Sequence, residues 1–229
     1  MEEHYSVAID GPSGAGKSTI ARAAAKRFGF LYVDTGAIYR TVGLAVDRQG
    51  FESGDEESVE ALLPKLDISL GYGRDGIQRE YLNGEDVTGL IRSPKISRRA
   101  SEVSVFQSVR AFLLDMQRSL ARENCVVMDG RDIGTVVLPE ADLKVFLTAS
   151  PERRAERRLT ELEAAGCGVT FNEVLHDILE RDERDSQRSA APLRRAWDAI
   201  EVDTSEMTLS ESINAVCSLM SEKLGVREK

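Results

Sequence analysis

The residues with the clearest chemical meaning form a glycine-rich segment near the start of the sequence. It reads G-x-x-x-x-G-K-S, and its members are Gly11, Pro12, Ser13, Gly14, Ala15, Gly16, Lys17 and Ser18, followed by Thr19. This is the spacing of a P-loop, in which glycines let successive backbone N–H groups point at phosphate oxygens. Lys17 is expected to reach the β- and γ-phosphates, and the Ser18 hydroxyl to bind Mg²⁺. The segment therefore predicts a binding site for a nucleoside triphosphate.

The residues on either side of this segment fit a P-loop as well. An apolar run at 5–9 is typical of a β-strand, and Ile20, Ala24 and Phe28 recur at the spacing of one helix face. A helix that begins at the loop adds the positive end of its dipole to the phosphate site. The competing interpretation, a glycine-rich turn that binds nothing, leaves this order of strand, loop and helix unexplained.

The apolar runs of the sequence predict a five-stranded parallel sheet. They alternate with amphipathic helical segments, as in a doubly wound α/β sheet with helices on both faces. The predicted strands are residues 5–9, 30–33, 125–128, 143–147 and 199–202. Ligands of such sheets lie at the carboxyl ends of the strands. Asp129 is therefore expected to hold Mg²⁺, directly or through water, with capping of the following turn as its alternative role.

A different pattern interrupts this alternation after the second strand. Residues 66–90 alternate apolar and polar side chains and contain turn signals at 73–76 and at Asn83-Gly84. This pattern predicts three short antiparallel strands, as in a small inserted subdomain. The helices predicted around it are residues 37–48, 94–105 after Ser93 as N-cap, 108–123, and a short one opened by a capping box of Ser53 and Glu56.

Composition and charge exclude several classes of protein. The 229-residue chain is 41% hydrophobic and 30% charged, which describes an ordinary soluble globular protein. Its formal net charge of −9 disfavours nucleic-acid binding through a basic face. No apolar run approaches the roughly 20 residues that span a bilayer, and the acidic start MEEHYSV is unlike a signal peptide. We therefore expect a cytoplasmic protein with no nucleic-acid or membrane partner.

Arginines, rather than a general base, are available to a phosphoryl acceptor. A hydroxyl acceptor usually wants a base to take its proton, whereas a phosphate acceptor needs its charge neutralised. His4 and His176 do not lie near the carboxyl end of a predicted strand. The arginines near strand ends or in the late basic stretch are Arg40, Arg110, Arg131, Arg181, Arg184 and Arg188. Because guanidinium groups bind phosphate bidentately, the sequence favours an acceptor that carries phosphate.

Two further groups of residues are given structural interpretations. Arg153 and Arg154 are expected on a solvated helix face, paired with Glu152, Glu156 and Glu161. Cys125, Cys167 and Cys217 are odd in number and widely spaced, which argues against disulfides or a zinc site. We expect them to be small buried hydrophobic residues.

Four motifs resemble those of the bacterial cytidylate kinase family. They are DGPSGAGKST at 10–19, DTGAIYR at 34–40, DGRDIGTVV at 129–137, and RDERDSQR with a later APL at 181–193. They span most of the chain in the order that the family has. The resemblance implies a nucleoside-monophosphate kinase of pyrimidine metabolism, which phosphorylates CMP or dCMP with ATP and Mg²⁺.

The resemblance also implies how the chain is organised. It suggests one P-loop kinase domain, in which the part near 64–96 looks like a CMP-side insert and the part near 151–190 looks like an arginine-rich helical lid. The core would comprise about 1–63, 97–150 and 191–229. We expect a monomer. Trp197 follows the lid and is expected to be either a core residue or an anchor for the lid.

Matching of motifs assigns roles to single residues. The residues that would bind the CMP phosphate are Arg40, Arg131, Arg181 and Arg188, with Thr35 in the same pocket. Ser101, Arg110 and Asp132 would recognise the cytosine, and Asp185 the sugar hydroxyls. Arg157 would contact the ATP side. The resemblance thus implies that Lys17, Arg131, Arg181 and Arg188 carry the transfer.

Other functions remain open on the sequence. A P-loop kinase for UMP, AMP or shikimate would share the first motif. A nucleotide-dependent switch of the GTPase class should carry N-K-x-D, which the sequence lacks. An inactive binding module should have lost Lys17 or the arginines of the lid, and both are present.

The assignment of Asp132 to cytosine predicts a change in base preference. A carboxylate accepts a hydrogen bond from the exocyclic amino group of cytosine, where uracil has an oxygen. Removing the carboxylate in Asp132→Ala should lower the affinity for CMP and narrow the preference for CMP over UMP. A buried unpaired group costs about 1–3 kcal/mol, which corresponds to a roughly ten- to hundredfold preference. Steady-state kinetics with both nucleotides tests this, and unchanged discrimination refutes it.

Overall fold

The structure of the chain is a computed structural model that describes residues 4–52, 54–74, 76–164 and 166–228. The contacts between residues in space divide the chain into two compact units. The first unit comprises Met1–Tyr32 and Glu123–Lys229, and the second unit comprises Val33–Arg122. The division into core, insert and lid that the family resemblance suggests stays a prediction.

The described residues contain eight β-strands and eight α-helices. The strands are β1 (Ser6–Asp10), β2 (Leu31–Asp34), β3 (Ile68–Tyr72), β4 (Gln78–Leu82), β5 (Glu85–Asp86), β6 (Val126–Gly130), β7 (Leu143–Thr148) and β8 (Ile200–Asp203). The helices are α1 (Lys17–Phe28), α2 (Thr35–Gln49), α3 (Glu56–Leu62), α4 (Pro94–Val103), α5 (Gln107–Glu123), α6 (Pro151–Ala164), α7 (Phe171–Gln187) and α8 (Leu209–Leu224). The predicted strands of the parallel sheet begin and end within about two residues of these bounds.

Five strands form a single sheet in the order β2-β6-β1-β7-β8. β1 pairs in parallel with β6 and with β7, and β7 pairs in parallel with β8. Val7, Ala8 and Ile9 of the central strand β1 are completely buried, as expected where helices cover both faces of a parallel sheet. The prediction of a doubly wound parallel sheet is confirmed.

An apolar core of the first unit joins α1 and α8 to this sheet. Ile20 and Phe28 of α1 and Met220 of α8 belong to one buried cluster with Ile9 of β1. α1 ends at Gly29, which has a left-handed φ of 68° and donates its backbone N–H to the last turn of the helix. This packing fixes the helix whose first residues follow the glycine-rich segment.

α6 and α7 form a helical hairpin, called here the α6–α7 hairpin, with a small core of its own. Ala155 of α6 packs with Val174 and Ile178 of α7. Thr170 and Glu173 form a capping box that starts α7, because each side chain accepts from the backbone N–H of the other. The arginine-rich helical piece predicted near 151–190 is therefore present as two packed helices.

The second unit contains a separate antiparallel sheet with the order β3-β4-β5. Leu70 of β3 lies opposite Glu80 of β4, and the turn after β4 has positive φ at both Asn83 and Gly84. Positive φ at two successive residues is the geometry that an Asn-Gly hairpin turn requires. The prediction of three short antiparallel strands is confirmed.

Side chains cap the first turns of α3 and α4 in the second unit. The Ser93 side chain accepts from the backbone N–H of Ile96, and Pro94 occupies the first turn of α4, as predicted. The predicted capping box before α3 involves Ser53, which lies outside the described residues. In the described part, Asp55 is the N-cap of α3 and accepts from the backbone N–H of Ser58.

The burial expected for the cysteines is only partly correct, and one of the two roles expected for Trp197 is excluded. Cys217 is buried as expected and Cys125 is partly buried, but Cys167 is exposed, because it lies between α6 and α7 rather than in an element that packs on the sheet. Trp197 cannot be a core residue, since it is 93% exposed. Within the ranges that the structure covers, no helix is both long and apolar enough to cross a membrane.

Close packing of α2 on α4 predicts that Gly43→Ala destabilises the second unit. A Cβ on Gly43 would lie 2.9 Å from the backbone nitrogen of Ala100. Overpacking of this kind costs typically about 1–3 kcal/mol, which outweighs the gain in helix propensity of about 1 kcal/mol. Urea unfolding followed by circular dichroism should show a lower free energy of unfolding.

Gly54→Ala is the matched control for this substitution. An added Cβ at Gly54 meets nothing within 4 Å, so the free energy of unfolding should change little. Equal effects of the two substitutions would contradict the packing argument.

Candidate functional site

The glycine-rich segment is pressed against the neighbouring strand of the sheet. Gly11 has a φ of 152°, and a Cβ there would lie 1.9 Å from the carbonyl oxygen of Leu147 in β7. Gly14 and Gly16 have left-handed φ values of 76° and 85°. Any side chain at Gly11 would force the two segments apart. The glycines therefore let the loop after β1 curl tightly over the end of the sheet, and α1 begins directly after it.

Lys17 is a buried cation at the start of α1. Its Nζ atom donates to the carbonyl oxygen of Pro12 at 2.7 Å, inside the loop. Burial and the nearby Arg131 lower the pKa of Lys17 well below its usual range, while Asp129 opposes that change. Such an ammonium group has a strong electrostatic preference for an anion at the loop, because an anion would compensate both effects.

Ser18 and Asp129, the two residues predicted to bind Mg²⁺, lie in contact. The Ser18 hydroxyl donates to Asp129 Oδ2 at 2.9 Å, and the Tyr32 hydroxyl donates to Asp129 Oδ1 at 2.8 Å. These hydroxyl and carboxylate oxygens are the hard ligands that Mg²⁺ prefers. In the described ranges, no group of three or more His, Cys, Asp or Glu residues could hold a metal ion by itself.

Asp10 ties the end of β1 to the segment after β6. Its two carboxylate oxygens accept hydrogen bonds from the backbone N–H groups of Ile133 and Gly134, both at 2.8 Å. Burial raises the pKa of Asp10 to about 6, although these two hydrogen bonds act against the shift. No role for Asp10 follows from the sequence pattern, yet Asp10 positions the segment that carries Arg131 and Asp132.

Arg131 and Asp185 form a close ion pair. Arg131 Nε donates to Asp185 Oδ2 at 2.8 Å, and both side chains are largely buried. Burial alone would lower the pKa of Arg131, but Asp185 and Asp129 raise it above its usual value. Burial would likewise raise the pKa of Asp185, but Arg131 and then Arg181 lower it. The pair therefore stays charged.

Arg188 lies beside the same carboxylates. Its Nη2 is 3.9 Å from Asp132 Oδ1 and its Nη1 is 3.9 Å from Asp185 Oδ1, while its Nε donates to the carbonyl oxygen of Ala191 at 2.7 Å. The structure thus brings together the predicted residues of the first unit: Arg131, Asp132, Asp185 and Arg188, with Arg181 close enough to act on the pKa of Asp185.

The prediction of a solvated helix face is correct for Arg153 and wrong for Arg154. Arg153 donates to Glu156 three residues later, as expected. Arg154 is only 3% exposed and donates to the carbonyl oxygens of Ala149 and Ser13 and to Asp182. Because its partners lie in the glycine-rich loop and on α7, charge spacing along α6 could not reveal them.

Arg157 joins α6 to the segment after β8. Its guanidinium donates to the hydroxyl and to the carbonyl oxygen of Thr204, at 3.2 and 2.6 Å. Burial and the nearby Arg153 lower its pKa. The predicted contact of Arg157 with the ATP side stays a prediction.

In the second unit, one buried carboxylate holds two arginines. Asp34 Oδ2 accepts from Arg40 at 3.0 Å and from Arg92 at 3.4 Å, and Asp34 Oδ1 accepts from the backbone N–H of Ala37 at 2.8 Å. Asp34 is thus the N-cap of α2 and a counter-charge at once. Thr35, the next residue, is buried. Arg92 belongs to this cluster, although the sequence analysis did not single it out.

Two polar side chains of β4 line the same cluster. Gln78 accepts from the backbone N–H of Asp34 and donates to Glu80 Oε1 at 2.9 Å. Glu80 is completely buried, and burial raises its pKa despite the hydrogen bond from Gln78. The sequence carried a sign of this, since Gln78 and Glu80 occupy the same alternate positions as the buried Leu82. Polar residues on the inward face of a strand indicate a buried polar site.

The remaining predicted residues of the second unit lie on α4 and α5. Arg110 packs over the ring of Tyr39 at 5.5 Å and donates to the carbonyl oxygen of Ser104. The carbonyl oxygen of Ser101 accepts from the Ser104 hydroxyl at 2.9 Å, so both predicted residues border one short segment. His4 and His176 are exposed, and His176 lies 3.4 Å from Glu180 on α7.

Comparison with protein families gives one match over most of the chain. The family model described as "Cytidylate kinase" matches residues 7–222. A curated cytidylate kinase of Carboxydothermus hydrogenoformans is 46% identical over 217 residues, which cover 95% of this chain and 97% of that protein. A cytidylate kinase of Geobacter sulfurreducens is also 46% identical, over 95% of this chain and 93% of that protein.

A solved structure agrees with the fold. An uncharacterised protein of Eubacterium ventriosum is similar with a TM-score of 0.51, at 12% identity, over 96% of this chain and 99% of that chain. At this identity the similarity concerns the fold alone.

The buried carboxyl group of Asp10 predicts a pH-dependent stability difference from Asp10→Asn. The folded protein keeps the Asp10 proton up to about pH 6, whereas the ordinary value is 3.8. The free energy of unfolding of the parent chain, relative to the variant, should therefore fall as the pH rises from about 4 to about 6. At 1.36 kcal/mol for each pH unit, the change is about 3 kcal/mol. Urea unfolding across this range measures it.

Asp55→Asn is a control for which the pH dependence of the stability difference should have the opposite sign. Hydrogen bonds from Ser58 lower the pKa of Asp55, so its contribution to stability is present at neutral pH and is lost as the pH falls. A difference for Asp10→Asn that stays constant between pH 4 and 6 would contradict the burial of a proton there.

Proposed function

Because the chain belongs to the cytidylate kinase family, we propose that it transfers the γ-phosphoryl group of ATP to CMP or dCMP and so forms CDP or dCDP. The match of residues 7–222 to that family carries this conclusion. The buried lysine and the arginine–carboxylate pairs of the first unit supply the charge that such a transfer needs.

The glycine-rich loop is assigned to ATP. Residues 11–18 bind the triphosphate through their backbone N–H groups, and the N-terminus of α1 adds its dipole. Lys17 neutralises charge on the β- and γ-phosphates, and the lowered pKa of Lys17 rises again when phosphate is bound. Thr19 follows in the same turn, and Arg157 is assigned to the ATP side from α6.

Ser18 and Asp129 are assigned to Mg²⁺ bound with ATP. Their oxygens are in contact at 2.9 Å, which supports a shared ligand. Mg²⁺ usually takes one or two protein oxygens and completes its shell with phosphates and water. When bound, the ion would neutralise charge on the transferring phosphoryl group. Tyr32 orients Asp129 for this role through its own hydrogen bond.

The arginines of both units are assigned to the acceptor. In the first unit, Arg131, Arg181 and Arg188 are assigned to the CMP phosphate, Asp132 to cytosine and Asp185 to the sugar. In the second unit, the family resemblance assigns Arg40 and Thr35 to the phosphate, and Ser101 and Arg110 to cytosine. In support, Arg131 donates to Asp185 and Arg40 donates to Asp34, and these hydrogen bonds fix the orientations of the two guanidinium groups.

No general base is needed for this reaction. The CMP phosphate is ionised at neutral pH, so its oxygen can attack once repulsion from the γ-phosphoryl group is offset. Fixed guanidinium groups provide that compensation without reorganisation during the transfer. Exclusion of water by the α6–α7 hairpin would prevent hydrolysis of ATP in place of transfer.

The proposal predicts a distinct acceptor preference. In a coupled assay of ADP formation with ATP, Mg²⁺ and each acceptor in turn, CMP or dCMP should react faster than UMP, AMP or shikimate. Excess EDTA should abolish the reaction, and added Mg²⁺ should restore it. Absence of CDP among the products, or faster reaction of another acceptor, would refute the proposed function.

Lys17→Ala and Arg188→Ala should each lower kcat by about 10²- to 10³-fold, the cost of losing one preorganised charge stabiliser. Lys26→Ala on the exposed end of α1 and Arg195→Ala on the surface are matched controls, and both should retain the parental rate. Normal turnover in either Lys17→Ala or Arg188→Ala would contradict the assigned mechanism.

A further inference from the structure

Arg154 is unlike the other arginines of α6. The side chains of Arg153 and Arg158 are each 46% exposed and pair with a glutamate three residues later. The Arg154 side chain is 4% exposed. A buried guanidinium with no contact to the solvated face of its helix must have its hydrogen bonds satisfied inside the protein.

The partners of Arg154 lie in three different segments. Its Nε donates to the carbonyl oxygen of Ala149 at 2.9 Å, just before α6. Its Nη1 donates to the carbonyl oxygen of Ser13 at 3.0 Å, in the glycine-rich loop. Its Nη2 donates to Asp182 Oδ2 at 2.5 Å, on α7. One planar group therefore connects the loop assigned to ATP with α7, the helix that carries Arg181 and Asp185 and precedes Arg188.

The stem of Arg154 also touches the loop. A Cβ on Gly14 would lie 3.2 Å from the Cβ of Arg154 and 3.5 Å from its carbonyl oxygen. The tip of the loop thus rests on the backbone and stem of this residue, while its guanidinium holds Ser13. A shift of the loop on binding phosphate has to move Arg154 or break these contacts.

α7 presents two carboxylates on one face, each paired with an arginine from another segment. Asp182 pairs with Arg154, and Asp185, three residues later, pairs with Arg131. Residues three apart lie on the same side of a helix. Asp182 Oδ1 is buried and has no hydrogen-bond partner among the described residues, so loss of Arg154 would remove the hydrogen bond that the carboxylate accepts through Oδ2.

We propose that Arg154 is a positioning residue that couples ATP binding at the glycine-rich loop to acceptor binding by α7. This inference rests on the proposed function, because it takes the loop as the ATP site and Arg181, Asp185 and Arg188 as acceptor ligands. Arg154 touches neither substrate. It bonds Asp182 of α7 and Ser13 of the loop at the same time. The orientation of α7 therefore depends on whether ATP is bound at the loop.

The test is a binding cycle with a non-hydrolysable ATP analogue, Mg²⁺ and CMP. Isothermal titration gives the Kd of CMP with and without saturating analogue, and the ratio of the two is the coupling factor. We expect a factor of at least about 5 in the parent chain, the lower end of typical couplings. By reciprocity, CMP should tighten analogue binding by the same factor. In Arg154→Met the factor should fall to within about twofold of 1.

Asp182→Asn approaches the same link from its other end. It should lower the coupling factor, and the double variant should match Arg154→Met alone, because Arg154→Met already removes the Arg154–Asp182 pair. Arg154→Lys keeps the charge but cannot serve three separate acceptors, so it should restore at most part of the coupling. Arg158→Met, the exposed neighbour on α6, should keep the parental factor.

The outcomes separate this inference from the proposed function. Parental coupling in Arg154→Met, or no coupling in a parent chain that phosphorylates CMP, overturns the role of Arg154 and leaves the function intact. A parent chain that forms no CDP overturns the function. If Arg154→Met fails to fold by circular dichroism, Asp182→Asn and Arg154→Lys decide the question. Parental coupling in both of them refutes the inference.

Discussion

Buried positive charge, held by buried negative charge, is the constraint on which the site depends. A cation binds phosphate more strongly when water is excluded, but burying a cation without a counter-charge costs free energy. The first unit meets both demands by giving Arg131 the carboxylate of Asp185 and Arg154 that of Asp182. The second unit does the same for Arg40 with Asp34. Each pair fixes a guanidinium in one orientation.

The carboxylates serve the backbone as well as the cations. Asp34 caps α2 while it holds two arginines, and Asp10 accepts two backbone N–H groups from the segment that bears Arg131. A helix start or a loop is therefore ordered by the same atom that sets the local charge. This double use explains why the polar residues of the site lie immediately after strands. Where a strand ends and a helix or loop begins, backbone N–H groups lack partners and need an acceptor. Ligands of parallel sheets also lie at this edge, so a charged side chain there can serve both.

The sequence predicted what depends on local chemistry and failed where a contact joins distant segments. The glycine-rich loop, the Asn83-Gly84 turn and the Ser93 cap are short patterns with one favourable geometry each, and all of them are present in the structure. Arg153 and Arg154 look equivalent in the sequence. They differ because Ser13, 141 positions earlier, lies beside only one of them. Glu80 was predictable in part. The alternation along its strand indicates that its side chain faces inward, but it does not indicate which residues the side chain contacts.

The exposure of Trp197 has a practical consequence for spectroscopy. It is the single tryptophan of the chain, and its indole ring is already surrounded by water in the native state. Fluorescence emission from such a ring lies at long wavelength before any denaturant is added. Its emission wavelength would therefore change little when the chain unfolds. Five tyrosines give a broader optical probe, and Tyr32 is of special interest because its hydroxyl touches Asp129. A tyrosine signal would therefore report on changes at the Asp129 carboxylate more directly than the indole does.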